Sequence, residues 1–103
     1  MNLEFIKKLV EGDEFKTVSV EVCNPQGLHA RPAAKFVEIA NKHKDCEVNV
    51  SCDGNTANGK SIMGVMTLVA GQGSTLEISA KGDDAKATLE ELKELVEKGF
   101  YEI

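Results

Sequence analysis

The sequence predicts an α+β fold: a four-stranded antiparallel sheet with three helices on one face, in the order βαββαβα. Two observations carry this. Segments with a period of two alternate with segments that read as helices. The outward strand residues, Thr17, Ser19, Glu21, Asn49, Ser51, Thr75, Glu77 and Ser79, are all polar, so the sheet buries one face and leaves the other to water.

The first strand covers 15–22, where Val18, Val20 and Val22 form the inward face. From Ala30 to Lys42, Ala33, Phe36, Val37 and Ala40 fall at helical spacing, and His43-Lys44 suit the negative end of the helix dipole. The second strand, 47–52, continues the alternation Cys46, Val48, Val50, Cys52, and Asp53-Gly54 is a hairpin turn into a short strand at 55–58. A short helix follows, with Ser61 as its N-cap. The fourth strand is 74–80, with Leu76, Ile78 and Ala80 inward. Gly82-Asp83-Asp84 then caps a last helix whose apolar stripe is Ala85, Leu89, Leu92 and Val96. Ahead of all this, Leu3, Ile6, Leu9 and Val10 fit a short amphipathic helix with Gly12 as its stop. Residues 1–13 are therefore an N-terminal extension and 14–103 the domain proper. The extension's destination is open: a domain edge, a second copy, or a frayed end.

At 103 residues the chain has room for one modest core. A net charge of -5 argues against nucleic acid, which needs a basic face. Glu4 and Lys7-Lys8 interrupt any signal peptide and no apolar run is long enough to span a membrane, so the expected address is cytoplasmic, without membrane insertion. Cys23, Cys46 and Cys52 show no metal-ligand spacing, and their odd number suits free thiols in a reducing compartment. Two of them fall on the inward face of one strand.

Gly27-Leu28-His29-Ala30-Arg31-Pro32-Ala33-Ala34 opens the first helix with a histidine where a capping serine or aspartate is usual. The first N–H groups of a helix have no intrahelical partner, and the dipole is positive there, which suits phosphate. Imidazoles titrate near pH 6.5 in model peptides, and a neutral one can attack a phosphoryl group. Arg31 adds a permanent charge and a planar fork of donors. Pro32 is tolerated in the first turn, and Gly27 lets the chain bend ahead of the histidine. These parts describe a reversible phosphoryl acceptor. A histidine at a helix start is also a common surface or capping residue, and the eight residues alone leave both readings standing. No paired carboxylate or Ser-His-Asp set points to a hydrolase, and His43 reads as a solvated residue.

In SIMGVMTLVAG, residues 61–71, the apolar side chains Ile62, Met63, Val65, Met66 and Leu68 point in too many directions for one buried face. Either part of this surface meets a partner, or the short helix is tucked into the core.

GLHARPAA followed by NGKSIMGVMTLVAGQGSTLEISA resembles the histidine-containing phosphocarrier family, HPr, of the bacterial phosphoenolpyruvate-dependent phosphotransferase system. The resemblance covers about residues 14–99 and implies an open-faced β-sandwich that acts as a carrier, not an enzyme. It makes His29 the phosphorylated histidine, taking the group from enzyme I on Nδ1 and passing it to an enzyme IIA domain. Arg31 becomes the arginine beside that phosphate. Ser61 becomes the serine phosphorylated by HPr kinase/phosphorylase in bacteria that have it, and Ile62, Met63 and Met66 an apolar docking surface. Ser61 can equally be a plain cap, and both roles can hold together. The expected state is a monomer with no cofactor and no metal.

Two other features bear on function. The ending Lys98-Gly99-Phe100, followed by Tyr101-Glu102-Ile103, is similar to the nitrogen-related, regulatory branch of the family, whereas SIMGVM is similar to members under serine-kinase control. The branch is open. A purely regulatory relative keeps the serine and lacks the histidine, and His29 argues against that. A small transferase or hydrolase would need a substrate pocket that so small a core does not obviously leave.

Overall fold

Alternation along four short segments becomes one sheet in the computed structural model, which describes residues 14–102. The strands are β1 (Lys16–Glu21), β2 (Glu47–Cys52), β3 (Asn55–Asn58) and β4 (Thr75–Lys81), all antiparallel, in the order β1-β4-β2-β3. Val18 stands opposite Ile78 and Val20 opposite Leu76, while across β2 Val50 also faces Ile78. The apolar sets of three strands thus share one face. Asp53 and Gly54 join β2 to β3 with φ of 50° and 84°, the positive pair that a tight hairpin turn requires.

Three helices cover that face: α1 (Ala30–Lys42), α2 (Ile62–Met66) and α3 (Ala85–Glu97), followed by a 3₁₀ turn, Gly99–Tyr101. The last helix lies on β1 and β4, and α1 packs against α2 and α3. Phe36, Leu76, Ile78, Leu92, Val96 and Phe100 are all fully enclosed between these layers. On the other face the polar residues stay solvent-facing, with Thr17 and Ser79 hydrogen-bonded at 3.0 Å. The architecture is the open-faced sandwich expected.

Strand ends differ slightly from expectation. Phe15 is outside β1 and 43 % exposed, with the Lys81 ammonium 5.5 Å from its ring centroid. Val22 is past the regular ladder yet still donates to Ser74 O and accepts from Gly73 N, each at 2.8 Å. Cys46 and Cys52 are buried free thiols. The helix expected within residues 1–13 lies outside the described residues.

Two local readings are corrected. His43 is not merely solvated: its side chain is only 11 % exposed, with Nε2 2.9 Å from Glu91 Oε1 and Nδ1 3.9 Å from Asp84 Oδ2. Asp84 occupies the N-cap position of α3, but its side chain makes no capping bond. Both follow from the packing of α3 across the end of α1, which brings acidic residues against the basic end of that helix. Lys42 joins the same group, 2.7 Å from Glu91 Oε2.

Candidate functional site

The loop before α1 is held from inside. Asn24 is buried, its side-chain Nδ2 donates to Gly27 O at 2.8 Å, and Gly27 N donates back to Asn24 O at 3.1 Å. Gly27 has a φ of 69°, and a Cβ there would lie 2.4 Å from Ala70 O. Only glycine permits this approach, and the next amide, Leu28 N, donates to Ala70 O at 2.8 Å. His29 is thereby delivered to the N-cap of α1.

At that position the His29 carbonyl accepts the first helical bond, from Ala33 N at 3.0 Å, but its side chain caps nothing. The amides of Ala30 and Arg31 have no hydrogen-bond partner among the described residues, and Pro32 has no N–H to satisfy. Arg31 is exposed and has no carboxylate partner among the described residues, so its guanidinium is available to an anion. His29, Ala30, Arg31, Pro25, Gln26 and Glu102 line a shallow open basin of about 530 Å³.

The imidazole faces two ways. Nε2 is 3.1 Å from both Oε1 and Oε2 of Glu102, and Nδ1 has no hydrogen-bond partner among the described residues. Glu102 also accepts from Asn24 Nδ2 at 2.8 Å. Burial pushes the Glu102 carboxyl up, but hydrogen bonds from His29 and Asn24 and the charges of His29 and Lys35 outweigh this and hold it below the usual carboxylate range. Sequence reasoning misses both Asn24 and Glu102. No motif links a residue to another 73 positions away, and the only local clue is Gly99-Phe100, an apolar residue straight after a helix stop.

Glu102 is returned to His29 by a tight hook. Gly99, Phe100 and Tyr101 have φ of 61°, 58° and 57°, three left-handed residues in succession. For the two that are not glycine this costs about 1–2 kcal/mol each. Complete burial of the Phe100 ring offsets it, and Lys35 Nζ donates to Phe100 O at 2.6 Å.

Ser61 stands at the N-cap of α2 with extended backbone, and its Oγ accepts from Gly64 N at 3.1 Å. It is a cap in fact, and it lines neither depression beside His29. The short helix divides its apolar residues: Val65 and Leu68 are buried, whereas Ile62, Met63 and Met66 are 44 %, 81 % and 41 % exposed. Of the three, Met66 joins His29 in lining a second depression of about 270 Å³. Val69 lines it too, at 85 % exposure and a φ of 49°, an outlying conformation for a β-branched residue that nothing in the sequence signals. No cluster of three or more metal-ligating side chains occurs among the described residues, and none of their helices is long and apolar enough to cross a membrane.

A family model described as the phosphotransferase-system (PTS) HPr component phosphorylation site matches residues 16–98. The chain is 44 % identical to the HPr-like protein Crh of Halalkalibacterium halodurans over 79 residues, 77 % of this chain and 93 % of that protein. It is 42 % identical to the phosphocarrier protein HPr of Treponema pallidum, over 82 % of this chain and 94 % of that one. The crystal structure of HPr-C-His from Thermoanaerobacter tengcongensis superposes with a TM-score of 0.80 at 43 % identity, covering 85 % of this chain and 98 % of that one.

Proposed function

The chain belongs to the HPr family of phosphocarrier proteins of the phosphotransferase system, and from this premise we propose that His29 is its phosphoryl acceptor. The group arrives from phosphorylated enzyme I and leaves to an enzyme IIA domain. The observation that carries this is the arrangement at the start of α1: His29, Ala30 and Arg31 line one basin, and among the described residues His29 Nδ1, the Ala30 and Arg31 amides and the Arg31 guanidinium have no hydrogen-bond or ion-pair partner.

Nδ1 attacks phosphorus and the donor's bond to phosphorus breaks, its electron pair returning to the donor. The transferred oxygens meet the Ala30 and Arg31 amides and the positive end of the α1 dipole. Arg31 can swing its fork onto two of them. None of these groups accepts or gives a proton, so the same contacts serve uptake and onward transfer, as a carrier needs. The basin is shallow and open, which suits docking of a partner's active site more than enclosure of a small substrate. In this role residues 14–103 act as a monomeric, cytoplasmic carrier domain without cofactor or metal. Ile62, Met63 and Met66, exposed on the short helix that Ser61 caps, form its apolar docking surface.

Ser61 supports a regulatory role in the same surface. Its phosphate would bring about −1.5 to −2 charges to the start of α2, beside exposed Ile62 and Met63, and repel an acidic partner. Ser61→Asp is expected to slow transfer from enzyme I with little change in thermal stability, and an unaltered rate would remove this mechanism.

The deciding experiment is incubation with phosphoenolpyruvate and enzyme I, followed by intact mass. The parent chain should gain one acid-labile phosphoryl group. His29→Ala should fold normally, because the side chain is at the surface, and gain none. A second reading, a regulatory protein not committed to sugar uptake, is favoured by the similarity to the HPr-like protein Crh and by the Gly99-Phe100 ending. Phosphorylation by an ATP-dependent serine kinase without uptake from enzyme I would select it.

A further inference from the structure

We propose that Glu102, oriented by Asn24, is a positioning residue that keeps the His29 proton on Nε2 and so leaves Nδ1 as the acceptor atom. The proposal rests on the carrier reading and adds to it the device that chooses between two chemically similar nitrogens.

A neutral imidazole has one N–H, and an ionised carboxylate can only accept. With both Glu102 oxygens 3.1 Å from Nε2, the nitrogen on that side must donate. The lone pair then sits on Nδ1, which has no partner among the described residues, on a ring that lines the basin together with Ala30 and Arg31. With the other tautomer, a bare Nε2 lone pair would face two carboxylate oxygens, and that repulsion excludes it.

This choice needs a carboxylate that is ionised and fixed in place, and both conditions have a visible cause. Asn24 is 3 % exposed and its Nδ2 is 2.8 Å from each of two acceptors, Gly27 O and Glu102 Oε1. Its own Oδ1 is buried with no hydrogen-bond partner among the described residues. Turning the amide over would set Oδ1 against both acceptors and strip them of their donor, so its orientation is determined. A buried carbonyl oxygen without a partner is an unusual feature, tolerated here by an amide whose donors are both committed to the site. The hook then restricts where Glu102 can go. Phe100 is fully buried, and Glu102 N donates to Gly99 O at 3.1 Å. The low titration range of the carboxyl, already described, keeps it charged at neutral pH.

The chemistry balances without a proton leaving. The Nδ1–phosphorus bond forms as the donor's bond breaks, Nε2 retains its hydrogen, and the ring becomes cationic. Glu102 supplies the fixed counter-charge. Onward transfer restores the neutral ring in the same tautomer, ready for the next cycle.

Imidazole ¹⁵N chemical shifts of the unphosphorylated chain, in buffer alkaline enough to keep the ring neutral, read the tautomer with no partner protein present. The parent chain should show His29 as the Nε2–H form alone, and Glu102→Ala should show the mixture of a free imidazole. Phosphoryl uptake from enzyme I should slow roughly three- to tenfold in Glu102→Ala, the order expected for one charge-assisted contact. Asn24→Ser should move both readouts in the same direction, with the amide spectrum verifying that the chain is folded. Partial rescue is expected in Glu102→Gln, which can still accept from Nε2 but lacks the charge. An unchanged tautomer in Glu102→Ala, or a parent proton on Nδ1, overturns the proposal. So does a shifted tautomer with undiminished uptake. If the parent takes up no phosphoryl group while Glu102→Ala still shifts the tautomer, the positioning is supported and the carrier reading fails.

Discussion

Replacing Gly27 by alanine should be the most damaging single-methyl change near the site, and its size can be worked out. The backbone there has a φ of 69°, where an L side chain costs about 1–2 kcal/mol. The new Cβ would also lie 2.4 Å from Ala70 O and 2.8 Å from Gly71 Cα, both backbone atoms that cannot rotate away. Ordinary contact begins near 3.4 Å, so the two loops must part by about 1 Å. That movement breaks the 2.8 Å bond from Leu28 N to Ala70 O, worth about 1 kcal/mol net. The combined loss is roughly 2–3 kcal/mol, a large part of the 5–15 kcal/mol typical of a domain. At about 4–8 °C per kcal/mol, Tm should fall by roughly 10–25 °C. Gly54→Ala is the matched control: its φ is 84° but nothing lies within 4 Å of the added Cβ. It should lose only the backbone part, roughly 4–16 °C and, at any one conversion, less than Gly27→Ala. Thermal unfolding followed by far-UV circular dichroism measures both. Equal losses would refute the close-approach argument and, with it, the account of how His29 is delivered to the helix start.

Other outcomes follow from single contacts. Val69→Gly releases a β-branched residue held at a φ of 49° with 85 % exposure, and should raise stability by about 0.5–1 kcal/mol after the added freedom of the unfolded chain is counted; a lower Tm would mean that the side chain makes contacts outweighing its strain. The Glu91 carboxyl is held below the usual range by the Lys42 hydrogen bond, with burial opposing and His43 assisting. A lowered folded pKa contributes stability above the unfolded carboxyl's titration, near pH 4.3, that is lost as pH falls through the folded value. Glu91→Gln should therefore cost a few tenths to about 1 kcal/mol at neutral pH, an exposed-pair magnitude, and nothing in strong acid; a pH-independent difference in chemical denaturation would assign the loss to packing. Deleting residues 1–12 should leave the domain folded and His29 phosphorylatable, with sedimentation of both chains reporting any pairing through the extension, whereas unfolding on truncation would move the domain boundary into it.

Much of the fold was legible because its causes are local. A period of two along Val18, Val20 and Val22 or Leu76, Ile78 and Ala80 marks a half-buried strand whatever it pairs with, and Asp53-Gly54 is a turn by its own backbone preferences. The candidate site at the start of α1 was legible for the same reason: His29, Arg31 and the uncapped helix start are within three residues of each other. Ser61 as a cap needs only Gly64, three positions on. Tertiary packing decided the rest. The contacts from His29 to Glu102 and from His43 to Glu91 join positions 73 and 48 apart, and no local preference selects one glutamate among many. The placement of α3 across the end of α1 selects Glu91, and the burial of Phe100 with its left-handed hook selects Glu102. The division of α2 into buried Val65 and exposed Met63 likewise depends on which side meets the sheet layer, a choice open to a short apolar segment until its neighbours are in place. Backbone preference and side-chain period act over a few residues and are written in the sequence, but the partner that orients a reactive nitrogen is chosen by the packing of elements remote along the chain.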